Sequence, residues 1–270
     1  MKKLFFVLTL FFASSLASLE KAPWFGNVYE FHFFSKYTYS HYRKINGAII
    51  QLDKASNDNL LHFDLSFSPT CQWNIDSDLE FVATPRENFN FSSVAFQGRY
   101  LFKDDIIGDP FSLYMGGDFR VVSSESLKDV SILYHSNLEF EYNLGLGKEI
   151  SQNDTWRLRF WLYGLLGIAN KGSPWIKGEA SLEGNVNERR KWALFLEGMH
   201  GYGHQNKINP FDFNGYAKIR EENLDIGFRY GFRMNVWGTL SLEYKRRLTA
   251  KLCPENVNFF TVSYLLPFSF

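Results

Sequence analysis

An alternation of apolar and polar side chains, with a period of two, recurs twelve times along this sequence. Between residues 71 and 81, Cys71, Trp73, Ile75, Leu79 and Phe81 alternate with Gln72, Asn74, Asp76, Asp78 and Glu80. An acid at every second position would ruin the apolar stripe of a helix, whose period is about 3.6. It suits a strand with one polar and one apolar side. Comparable segments lie at residues 29–39, 61–67, 94–102, 111–121, 138–146, 156–162, 176–182, 192–196, 224–232, 236–244 and 260–270. The ninth, at 192–196, is the least regular, because Gly198, Met199, His200 and Gly201 blur its pattern.

An even number of strands, many about nine to eleven residues long, is what a closed transmembrane barrel needs. The connections point the same way. Those after even-numbered segments are short, whereas residues 41–59, 122–136 and 202–221 form long connections after odd-numbered ones. Short turns at one end and long loops at the other is the asymmetry of outer-membrane barrels, with both termini periplasmic.

A soluble β-sandwich would also alternate, but over a core of Val, Ile and Leu. Here the apolar positions are crowded with aromatics: 28 Phe, 14 Tyr and 7 Trp, 18% of the chain. Aromatic residues near strand ends form girdles at bilayer interfaces. A sandwich leaves sheet edges, and a closed barrel has none. The mean hydropathy of −0.23 is too low for a bundle of membrane helices. The 29 acidic and 29 basic residues balance, which argues against a nucleic-acid partner.

Met1-Lys2-Lys3, an apolar stretch over residues 4–12 broken only by Thr9, and small residues at Ser15 and Ala17 read as a secretory signal peptide over residues 1–17. Residues 18–270 are then one all-β domain.

The last segment ends in alternating aromatics, with Tyr264, Phe268 and a terminal Phe270. It resembles the C-terminal signal of Gram-negative outer-membrane β-barrel proteins. The resemblance is to the class, and it implies a closed antiparallel barrel in the outer membrane. It also implies two partners, the barrel-assembly machinery and outer-membrane lipid.

Twelve strands tilted by about 40° enclose a backbone cylinder of roughly 24 Å diameter, so the bore is narrow. Hairpin geometry places His62, Asp64, Asp76, Asp78 and Arg99 in one inward, mainly acidic layer. Arg157, Arg159 and Arg233 form an inward basic group near the periplasmic mouth. The expected function is a narrow passive pore for small solutes. The alternative is a structural or surface-interaction barrel with a plugged lumen. No oligomer is required.

A lipid-modifying enzyme is a third, weaker reading. Tyr202-Gly203-His204-Gln205-Asn206 resembles the His-x-Ser arrangement of outer-membrane phospholipases, but Asn206 stands where the nucleophile belongs. In Tyr134-His135-Ser136-Asn137 the His and Ser are adjacent, so they cannot share a strand face. No catalytic constellation is complete. The six scattered histidines suggest no metal site and no cofactor. Cys71 and Cys253 are expected at opposite ends of the barrel, beyond disulfide reach.

Overall fold

In the computed structural model, residues 21–152 and 155–269 are described. The expected signal-peptide segment 1–17 and the terminal Phe270 lie outside them. The strands are β1 (Phe31–Tyr42), β2 (Lys44–Ile45), β3 (Ser56–Thr70), β4 (Trp73–Ala83), β5 (Asn90–Lys103), β6 (Ser112–Val122) and β7 (Leu138–Gln152). They continue as β8 (Thr155–Ala169), β9 (Trp175–Val186), β10 (Arg190–Gly201), β11 (Glu222–Arg233), β12 (Thr239–Lys251), β13 (Pro254–Glu255) and β14 (Asn258–Phe268).

Twelve of these close an antiparallel barrel in which each strand pairs with its sequence neighbour. Closure comes from β1 on β14, in register from Phe31↔Phe268 to His41↔Asn258. The two short strands β2 and β13 pair with each other outside the barrel wall. All twelve alternating segments are therefore strands. Several run longer than their alternation indicated, with fifteen residues in each of β3, β7 and β8.

The pattern of burial is inverted relative to a soluble sandwich. Asp76 and Arg99 are 0% exposed, while Ile75 is 50% and Leu242 56% exposed. In β4 the buried inward residues are Asn74, Asp76, Asp78, Glu80 and Val82. In β11 the exposed outward ones are Leu224, Ile226, Phe228, Tyr230 and Phe232. Water-soluble sheets bury their apolar face, and this one turns it outward, as a lipid-facing wall requires.

Turns of a few residues join the strands at the end that also carries both termini, here the turn end. Longer connections gather at the opposite, loop end. The irregular β10 is continuous through Gly198, Met199 and His200. Its last residue, Gly201, has no Cβ for a physical reason: one would lie 2.3 Å from the Glu221 carboxylate.

Candidate functional site

A strap of residues 21–30 precedes β1, and its first part enters the bore from the turn end, while Asn27, Val28 and Tyr29 are exposed. Its backbone is tied to the sheet at Tyr29, whose N–H donates to the Ser68 carbonyl at 2.9 Å. Trp24 packs in a buried apolar cluster with Leu101, Tyr114 and Trp161, with Ala22 and Phe25 against it, and polar anchors add to this hold. Tyr114 donates its hydroxyl to the Lys21 carbonyl at 3.0 Å, and Arg99 donates to the Ala22 carbonyl at 3.1 Å. Trp24, 6% exposed, donates its indole N–H to Asp105 at 2.9 Å. The Arg99 guanidinium lies 4.8 Å from the Phe25 ring centre and 5.2 Å from that of Tyr114.

Lys21 reaches furthest in. Its ammonium pairs with Glu179 on β9 and with Glu197 on β10, the latter at 3.2 Å. Glu197 also takes Lys177 at 2.7 Å and Lys245 at 2.8 Å. This junction of three ammoniums on one carboxylate divides the bore. Below it lies a chamber of about 440 Å³, and above it one of about 280 Å³. Lys21, Lys177, Glu197 and Lys245 border both.

The two chambers differ in charge. Lys36, Lys191, Arg159 and Arg229 join the shared bases around the lower one, against Glu179, Glu183 and Glu243. The upper wall holds Asp58, Asp78, Glu80, Asp118, Glu139, Glu141 and Asp225, with Arg120 and Arg247 among them. Arg247 grips Asp225 through two hydrogen bonds, at 2.8 and 3.1 Å. Charge signs are therefore partly segregated along the barrel axis.

The five residues of the expected acidic layer all face inward, but at two levels. His62 sits opposite Glu80, and Asp64 opposite Asp78. Arg99 is lower, opposite Asn74, which it engages at 2.5 and 3.1 Å, with Asp76 at 3.4 Å. The base that meets Asp78 is Arg120, at 3.4 Å. Asp78, Ala95 and Arg120 share one rung across β4, β5 and β6, so only a methyl group stands between the two charges. Pair-by-pair hairpin reasoning does not see a contact that skips a strand.

The basic group needs a correction. Arg159 borders the lower chamber, stacked 4.5 Å from Trp24 and 4.4 Å from Trp156, and is paired with Glu149 at 2.6 Å. Arg233 ends β11, exposed at the rim. Arg157 does not line the chamber. Ile150 pairs with Leu158 but Ser151 with Trp156, a β-bulge that inserts one residue in β8. The inserted residue reverses the parity below Leu158. Trp156 turns to the chamber and Arg157 stays exposed.

At the loop end the connections pack on one another. Tyr42, Ile45, Val130, Ile208, Tyr216, Leu252, Cys253 and Val257 form a buried apolar cluster. Arg86 ties the β4–β5 connection to Asp129 at 2.7 Å and to the Tyr42 hydroxyl at 2.8 Å. His135 is buried beneath this cap, stacked on Trp175 with ring centres 3.7 Å apart. Trp175 lies there because Gly167 has no Cβ to block its indole. His135 Nε2 meets Glu221 at 2.7 Å, and Glu139 lies 3.7 Å from Nδ1. Burial opposes its charge, but the Glu139 and Glu221 carboxylates beside the ring outweigh that and raise its pKa to about 9.

Ser136 gives its hydroxyl to Asn170 at 2.6 Å, so it is not paired with His135 as a nucleophile would be. His204 is exposed in the β10–β11 connection. Cys71 is exposed in the β3–β4 turn and Cys253 buried in the cap, both as free thiols. Of the C-terminal residues, Tyr264 donates its hydroxyl to the Trp237 carbonyl, and Phe268 stacks 5.5 Å from Phe31 across the closing seam.

The solved structures that this barrel resembles belong to the outer membrane. The COG4313 outer membrane channel from Pseudomonas putida F1 superposes with a TM-score of 0.65 at 10% identity, over 93% of this chain and 100% of that one. The NanC porin does so with a TM-score of 0.57 at 11% identity, over 87% and 98%. No family model matches the sequence, and no curated relative matches it. At such identities the likeness is one of fold, and that fold is the outer-membrane β-barrel.

Proposed function

We propose that the protein is a narrow passive pore of a Gram-negative-type outer membrane, with both termini periplasmic, and that residues 21–30 gate it. The observation that carries this reading is the pair of hydrophilic chambers, about 440 and 280 Å³, meeting at the Lys21–Glu197 junction. A barrel with a purely structural role has no need of an open, charge-lined bore at both levels. The gate is the strap because side-chain contacts hold residues 21–26, and the backbone tie to the sheet, Tyr29 to Ser68, lies at the other end of the strap beside β1. Outward swinging of residues 21–26 removes the ammonium that divides the chambers. Fold likeness to a channel and a porin supports this reading. The terminal strand with Tyr264 and Phe268 offers the assembly machinery its recognition surface.

One observation favours a plugged barrel. The cap covers the loop end while the strap fills the turn end. Planar-bilayer recordings separate the two readings. The intact mature chain is expected to show small, infrequent openings, and a chain lacking residues 18–25 a larger and steadier conductance. A shortened chain that inserts, resists heat unfolding and still passes no ions would establish the plugged reading.

A further inference from the structure

We propose that His62, Asp78 and Glu80 bind a divalent transition-metal ion, with Zn²⁺ or Mn²⁺ fitting the donors best, on the wall of the upper chamber. Strand register builds the site. His62 on β3 lies directly opposite Glu80 on β4, and Asp78 is the next inward residue along β4. One imidazole nitrogen and one oxygen from each carboxylate lie within 4.8 Å of one another. His62 Nε2 is in contact with Glu80, and Nδ1 is 3.8 Å from Asp78.

An independent observation points to a ligand. Asp78 is 1% exposed, and its Oδ1 has no hydrogen-bond partner. The nearby His62 nitrogen, at 3.8 Å, is beyond hydrogen-bond reach. A buried carboxylate oxygen left bare is costly, and a cation at that position removes the cost. The rest of the chamber lining is close to balanced, six acids against five bases, so the two ligand carboxylates supply the charge that a cation would meet.

The donor set narrows the ion. One imidazole with two carboxylates suits zinc or manganese. The imidazole disfavours magnesium and calcium, which prefer oxygen alone, and the absence of sulfur disfavours copper(I). Arg120, 3.4 Å from the other Asp78 oxygen, would orient that ligand from behind. Remaining coordination positions would face the chamber, where water can fill them. The sequence hides the site because its ligands are eighteen and sixteen residues apart and converge only through register.

The test uses the full mature chain, folded in detergent, stripped with chelator and titrated calorimetrically with Zn²⁺ and separately with Mn²⁺. One saturable site per chain is expected. His62→Gln and Glu80→Gln should each weaken it at least about tenfold, while His41→Gln and His204→Gln leave it unchanged. X-ray absorption of the zinc form should show nitrogen and oxygen ligands without sulfur. Asp78→Asn also strips Arg120 of a partner, so His62→Gln, which spares both carboxylates, carries the decision. No saturable binding of either ion, unchanged affinity in folded His62→Gln, or sulfur ligation would each overturn the proposal.

Discussion

The two ends of this bore are closed by different physics. At the turn end, a short strap combines hydrogen bonds and ion pairs, Lys21 to Glu179 and Glu197, Ala22 to Arg99 and Trp24 to Asp105, with the packing of Trp24 on Leu101, Tyr114 and Trp161. At the loop end, connections from four parts of the chain bury Ile45, Val130, Tyr216 and Leu252 against one another. A polar anchor lost to water is largely replaced by water. A packed apolar cluster has no such substitute. The strap, whose apolar hold is Trp24 with Ala22 and Phe25, is therefore the easier end to open, and the cap, with its larger cluster, the harder.

The sharpest way to break that contrast is at Arg99, which belongs to both the strap and the wall. Arg99→Ala removes the guanidinium 3.4 Å from the buried Asp76 carboxylate and breaks a fully buried ion pair. The expected cost is about 3–5 kcal/mol of barrel stability, read from urea unfolding in detergent. A loss below about 1 kcal/mol would mean that water already reaches Asp76.

The cap should be nearly as sensitive, but locally. Ile45→Ala removes fully buried atoms from its centre and should cost about 2–5 kcal/mol. Because most of the cluster, Tyr42 apart, lies in the connections beyond the wall, the change should show as protease cleavage within residues 43–55 and 202–221 while the barrel stays intact. Cooperative loss of the whole barrel would show instead that cap and wall are one unit.

A third measurement turns on pH. His135 has its folded pKa raised from the ordinary 6.5 to about 9. A raised pKa means that the stabilisation is fully present below about 6.5 and is lost as pH climbs through about 9. Its full size is on the order of 3 kcal/mol. Amide exchange in residues 123–137 should accelerate between pH 7 and 10 beyond the intrinsic rise, and His135→Gln should abolish the excess. Faster exchange at acidic pH would contradict the assignment.

The smallest expected effect sharpens the lower chamber. Arg157→Ala should leave both stability and conductance within about 0.5 kcal/mol and experimental scatter of the parent. Arg159→Ala should alter the conductance and its ion preference, since that guanidinium faces the chamber between Trp24 and Trp156. Equal effects from the two variants would place the bulge elsewhere.

Sequence alone determined the wall. Period-two alternation distinguishes the faces residue by residue, so the twelve strands, their order and the outward Leu224, Ile226 and Phe228 were legible without coordinates. The inward direction of His62, Asp64, Asp76, Asp78 and Arg99 was legible for the same reason. Tertiary structure decided everything that depends on distance across the bore. Alternation says which way a side chain points, not how high it stands. Height follows from register and bulges, which separated Arg99 from His62 and turned Arg157 away. The strap was invisible because residues 21–30 carry too few alternating positions to mark a partner. Lys21 finds Glu179 and Glu197 only when the closed barrel brings residues more than 150 positions apart within reach of one ammonium. Local patterning is written in neighbouring residues, whereas long-range ion pairing is written in the closure of the sheet.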